Sequence, residues 1–94
     1  MTAFLVTNIR RDRGDLDRRI DMLQGPWFGP SHIDVVIADI QRLGGNSYYV
    51  QGTGFTDIAY LEVQRASSGR LYLRTVPDGL KDNNLYSLPE IVFR

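Results

Sequence analysis

Two alternating segments separated by a short glycine-closed loop restrict this chain more than any other feature. Residues 57–65 (DIAYLEVQR) place Ala59, Leu61 and Val63 on one face, and Ile58, Tyr60, Glu62 and Gln64 on the other. Residues 70–76 (RLYLRTV) set Leu71, Leu73 and Thr75 against Tyr72, Arg74 and Val76. Period-two alternation of this kind is the mark of a strand with one buried face. A two-residue loop would put Val63 opposite Tyr72 and mix apolar with polar sets. A longer loop through Ala66-Ser67-Ser68-Gly69, with Gly69 in the left-handed position, pairs Val63 with Leu73, Glu62 with Arg74 and Gln64 with Tyr72. That register keeps each face uniform and is the one the sequence predicts.

The rest of the chain is read around this hairpin. Residues 3–9 are apolar on both alternating sets, which predicts a strand placed centrally in its sheet. In the charge-dense stretch 10–21, Leu16, Ile20 and Leu23 recur at helical spacing, with Asp15 or Asp17 as N-cap and Gly25 as terminator, predicting a short helix or helical turn. Residues 24–30 (QGPWFGP) read as a rigid loop whose Trp27 and Phe28 plug the core rather than form a ligand platform. Residues 31–43 predict the main helix: Ser31 as cap, Asp34 in the first turn, a stripe of Ile33, Val36, Ile37, Ile40 and Leu43, and Gly44-Gly45 as the stop. Residues 47–51 predict a short strand. Pro77-Asp78-Gly79 predicts a turn, Asp82 to Asn84 the caps of a helical turn carrying Leu85 and Leu88, and residues 90–94 a terminal edge strand through Ile91 and Phe93.

The expected architecture is therefore α+β: a single small domain spanning 1–94, with one main helix on a mixed, mostly antiparallel sheet of about four strands. Strand one joins a three-strand meander, and a parallel crossover runs through the helix.

Composition narrows the chemistry. Basic and acidic side chains balance at eleven each, so the basic excess typical of phosphate-binding proteins is missing. All the basic residues but Lys81 are arginine, a bias ascribed to codon usage rather than to function. There is no cysteine, which excludes disulfides, thiolate metal sites and thiol nucleophiles and suits a reducing cytoplasm. No apolar run approaches the roughly 20 residues needed to span a bilayer, and the N-terminus lacks the basic-first order of a secretory signal.

Few residues stand out as candidate sites. Tyr60, Tyr72 and Arg74 form an aromatic-cationic sheet face resembling the platforms that stack nucleic-acid bases, with Glu62 among them repelling phosphate. Asp78, with Asn83 and Asn84, lies in a turn where polar side chains usually satisfy local backbone; a lone carboxylate there is also the only enzymatic candidate. Asp12, Asp15, Asp17 and Asp21 miss the spacing of a calcium loop and are interleaved with arginines, so they read as caps and ion pairs. The single histidine, His32, lies in the first helical turn without an orienting acid and nucleophile, and reads as a surface residue. No metal or cofactor is implied.

The tail carries a further signal. Tyr72-Leu73-Arg74-Thr75, then Asp78, Asn83-Asn84-Leu85 and Leu88-Pro89 resemble the C-terminal signature of a small bacterial family known as domain of unknown function 3892. Arg18-Arg19-Ile20, Trp27, Val36-Ile37, Gly44 and Tyr49-Val50 resemble it in order upstream. Members of that family often carry a cysteine after the Leu-Pro, where this chain has Glu90. The resemblance implies a self-contained bacterial module and assigns no activity or site. The sequence thus predicts a non-enzymatic accessory or protein-binding module with a protein partner, and nucleic-acid binding through the Tyr60, Tyr72, Arg74 face as the alternative.

Overall fold

In the computed structural model the structure describes residues 2–51, 58–76 and 85–92. Among these residues the chain forms strands β1 (Ala3–Leu5), β2 (Asn8–Arg11), β3 (Ile20–Gly25) and β4 (Phe28–His32), then helix α1 (Ile33–Gln41). Strands β5 (Ser47–Gln51), β6 (Ile58–Arg65) and β7 (Leu71–Thr75) follow, and a single 3-10 turn spans Leu85–Ser87. The fold is α+β. One sheet has the order β1-β5-β6-β7, with β1 parallel to β5 and the other pairs antiparallel; a second, antiparallel sheet has the order β2-β3-β4.

The four-stranded sheet is the mixed meander the alternation predicts, and its hairpin register agrees residue by residue: Glu62 faces Arg74, Val63 faces Leu73 and Gln64 faces Tyr72. Gly69 sits at φ +93°, where a side chain would be strained, and its N–H donates to the Ala66 carbonyl across the loop. Tyr48, Val50, Ala59, Leu61 and Leu73 point inward and are buried, and α1 covers them with Ile33, Val36 and Ile37. Each valine, leucine or isoleucine among them, taken fully out of water, contributes about 1.5–3 kcal/mol.

The second sheet departs from the four-strand expectation at two places in the chain. The 3–9 segment is not one central strand. Val6 N–H still donates to Tyr49, but the next residue, Thr7, donates to Gln24, so the chain changes sheets between them. It lies at the edge of both sheets, and it is apolar on both faces because it runs along the seam that joins them.

The second departure concerns Leu16, Ile20 and Leu23. No helix carries them. Asp15 Oδ1 caps a single turn by accepting the N–H groups of Asp17 and Arg18, and Leu16 is left 82% exposed. Ile20 and Leu23 belong to β3, and both are fully buried because a β-bulge intervenes: Arg10 pairs with Met22 but Arg11 pairs with Ile20. One extra residue in a strand turns i, i+2 neighbours into i, i+3 neighbours on the same face, which mimics helical spacing.

The aromatic loop is likewise a hairpin, with Gly25 opposite Phe28 across Pro26-Trp27. Phe28 packs edge-on against Phe4 and Tyr48, as a plug should, whereas Trp27 sits at the turn and is 64% exposed. Helix α1 is shorter than predicted at both ends. Its N-cap is His32, whose Nδ1 accepts the Asp34 N–H at 3.1 Å, while the Ser31 hydroxyl donates to the Gly29 carbonyl. At the other end Arg42 turns extended (φ −68°, ψ 138°) directly after Gln41, and Gly44, at φ +74°, then redirects the chain, leaving Leu43 fully exposed rather than on the buried stripe. At the tail, Leu85 is buried and Leu88 packs against the core. Residues 89–91 pair with β2 through Ile9, whose N–H donates to Pro89 and whose carbonyl accepts from Ile91. The predicted Pro77-Asp78-Gly79 turn, the caps at 82–84 and Phe93 lie outside the described residues.

Candidate functional site

The four-stranded sheet has a second face, turned away from the helix. Because paired strand residues share a face, the pairings of Tyr49 with Leu5 and with Tyr60 set three side chains side by side across β1, β5 and β6. Val76 continues the row, since its N–H donates to the Tyr60 carbonyl just past the end of β7. The Tyr49 and Tyr60 rings lie 5.9 Å apart, tilted by 54°. Ile58, one step along β6 on the same face, extends the patch. Tyr60 is 49% exposed, Val76 42% and Ile58 41%.

On the other side of this row the same face is polar. Arg74 Nε donates to Glu62 Oε1 at 2.6 Å, an ion pair that is partly open to water. Beyond it Tyr72 stands opposite Gln64. The structure therefore divides the residues that the sequence groups together. Tyr60 belongs with Tyr49 in the apolar row, whereas Tyr72 and Arg74 line a separate hollow of about 360 Å³ with Leu16, Asp17, Arg19 and Tyr86. Asp78 and Asn84 lie outside the described residues. Tyr49 was missed as a member of the face, although a Tyr-Tyr pair inside a strand must send one ring to each side. Tyr86 and Arg19 carry no sequence signal of comparable clarity.

Several polar groups elsewhere hold the scaffold together. Asp39, near the end of α1, accepts the Tyr48 hydroxyl at 2.7 Å, Asn46 Nδ2 at 3.1 Å and Arg42 at 2.9 Å, tying the helix to β5. The Tyr48 hydroxyl, then Asn46 and Arg42, hold the Asp39 carboxyl below the usual carboxylate range against the opposing effect of burial. Burial, reinforced by Asp39, pushes the Tyr48 phenol well up. Arg11 donates to Glu90 and to the carbonyls of Tyr86 and Leu88, fixing the tail on β2, and its guanidinium lowers the Glu90 pKa. Among the acids of the charge-dense stretch, Asp15 binds Arg70, Asp17 accepts the Ser68 hydroxyl and Asp21 pairs with Arg10. Among the described residues no group of three or more potential metal ligands gathers, and no helix is long and apolar enough to cross a membrane.

The model of a family described as protein of unknown function (DUF3892) matches residues 24–89. The chain belongs to the DUF3892 family. The DUF3892 match spans helix α1, the meander and the 3-10 turn, and so takes in Tyr49, Ile58, Tyr60 and Val76. Leu5 and the 12–19 loop fall before it. No curated protein and no solved structure matches the chain.

Proposed function

We propose that this DUF3892 chain is a non-enzymatic binding module of the bacterial cytoplasm that docks an uncharged, apolar surface of a protein partner on the outer face of its four-stranded sheet. The observation that carries the reading is the transverse row of Leu5, Tyr49, Tyr60 and Val76, with Ile58 beside it, on the face that the helix leaves uncovered. Tyrosines on a rigid sheet offer a large contact area at small entropic cost and are enriched among the residues that dominate binding energy. A cysteine-free chain suits the reducing compartment.

The reading is tested by capture from extract of the source cells on immobilised wild-type chain and on Tyr60→Glu and Arg74→Gln variants. A partner retained by wild type and by Arg74→Gln, and lost from Tyr60→Glu, supports it. A partner lost from Arg74→Gln but kept by Tyr60→Glu moves the site to the polar side of the sheet and overturns it. Nucleic-acid binding through Tyr60, Tyr72 and Arg74 is the weaker reading, because Glu62 occupies the one cation of that set.

A further inference from the structure

We infer that a second site, independent of the outer-face docking, lies at the 12–19 loop and takes a small anion joined to an apolar or planar body, anchored by Arg19. A hollow of about 340 Å³ opens between this loop and Tyr86. Its volume falls at the low end of the roughly 300–1,000 Å³ usual for small-molecule sites and holds a one-ring acid with room to spare.

The charges around the hollow do not cancel. Arg11 is engaged by Glu90 and by two carbonyls, and Asp15 by Arg70 at 2.7 Å. Asp12 Oδ1 accepts the Gly14 N–H at 3.1 Å. Arg13 and Arg19 remain: among the described residues neither guanidinium makes an ion pair or a hydrogen bond. Arg13 acts through space on Glu90, so Arg19 is the cation of the hollow that lacks an acidic partner among the described residues, and Asp12 is already turned to its own loop. A guanidinium presents a planar fork that fits the paired oxygens of a carboxylate or phosphate.

The apolar side of the hollow is built as firmly. Tyr86 donates its hydroxyl to the Leu73 carbonyl at 2.8 Å while its own carbonyl accepts from Arg11, so the ring is clamped as a wall. Leu16, held at the tip of the capped turn, supplies the facing surface, where an apolar side chain so open to water gains by being covered. Arg19 sits between this hollow and the neighbouring one of about 360 Å³ that Tyr72 and Arg74 line.

The backbone adds a separate observation. Arg19 is at φ +64°, the one non-glycine residue in the left-handed region among those described. Its N–H donates to the Asp15 carbonyl and its carbonyl accepts the Asp12 N–H, both at 2.8 Å, so the loop closes on it. Glycine or asparagine would adopt this conformation at lower cost. Residues kept in such positions cluster at ligand clamps, where the side chain is wanted despite the strain.

The test is a titration of the 15N-labelled full chain, followed by amide shifts, with benzoate, phenyl phosphate, inorganic phosphate and benzyl alcohol. Saturable shifts confined to residues 12–19 and Tyr86 are expected with benzoate and phenyl phosphate. Inorganic phosphate and benzyl alcohol, each lacking half of the ligand, bind at least tenfold more weakly. Arg19→Gly and Arg19→Asn weaken benzoate at least tenfold while the melting temperature stays level or rises, a combination that loss of fold does not produce. Absence of saturable shifts with both acids overturns the inference. So does benzoate binding unchanged in both Arg19 variants, or benzyl alcohol binding as tightly as benzoate.

Discussion

Replacing Tyr48 with phenylalanine removes one oxygen and leaves the packing of the ring unaltered, which makes it a clean probe of how the helix is latched to the sheet. Tyr48 is 7% exposed, and its hydroxyl donates to Asp39 Oδ2 at 2.7 Å. A hydrogen bond to a charged partner contributes about 1.5–3 kcal/mol. Asp39 keeps Asn46 and Arg42, so the loss is placed at the lower end, about 1–2 kcal/mol. For a domain of this size that corresponds to a fall in melting temperature of roughly 5–12 °C.

The pH dependence supplies a second constraint. The folded Asp39 pKa lies below its ordinary value of 3.8, with Tyr48 the largest cause. A carboxyl depressed in the folded state contributes stability that is present above its unfolded pKa and lost as pH falls through the folded one. Tyr48→Phe returns that pKa toward 3.8, so the gap between wild type and variant is full at pH 7 and narrows by pH 3. Urea unfolding at both pH values measures it. A gap below about 0.3 kcal/mol at pH 7, the scale of an ordinary surface change, or one undiminished at pH 3, would refute the latch.

Three further outcomes test other parts of the scaffold. A Cβ on Gly25 would lie 1.9 Å from the Leu5 carbonyl oxygen, so Gly25→Ala destabilises by about 3 kcal/mol or more in urea unfolding, beyond ordinary overpacking because the neighbour is backbone. Arg11→Met strands the Tyr86 and Leu88 carbonyls and releases Glu90, with a loss of about 1–3 kcal/mol and faster amide exchange at residues 85–91. Glu62→Gln removes a half-exposed pair and changes stability by about 0.2–1 kcal/mol only; oligonucleotide titrations of this variant and of wild type at low salt stay flat.

How much of this was legible in the sequence depends on where contacts are local. The 57–76 hairpin was readable because alternation and Gly69 fix one register, and a slip would exchange the whole buried set for the exposed one. The body of α1 was readable from its stripe, but its ends were not: His32 displaced Ser31 as cap through a side-chain nitrogen, and Arg42 left helical geometry before Leu43 was reached. The second sheet was hidden because its evidence is an irregularity. The bulge opposite Arg10-Arg11 gives Ile20 and Leu23 a helical spacing, and the sheet change at Val6-Thr7 gives an edge segment the look of an interior strand. Of the candidate residues, Tyr60, Tyr72 and Arg74 were placed on their face by parity alone. Their division into an apolar row and a hollow depends on Tyr49, Leu5 and Tyr86, partners up to 55 residues away from Tyr60 in the chain. The left-handed Arg19 leaves no mark in the sequence, since arginine is not a residue that such positions ordinarily select.

The outer sheet face is tested most directly by placing a photo-reactive benzoylphenylalanine at Tyr60, and separately at Leu43 in the exposed turn that follows the helix, in living source cells. The docking account predicts one discrete cross-linked protein from position 60 and none from position 43. The same cross-linked species at both positions, or none at position 60, would contradict it.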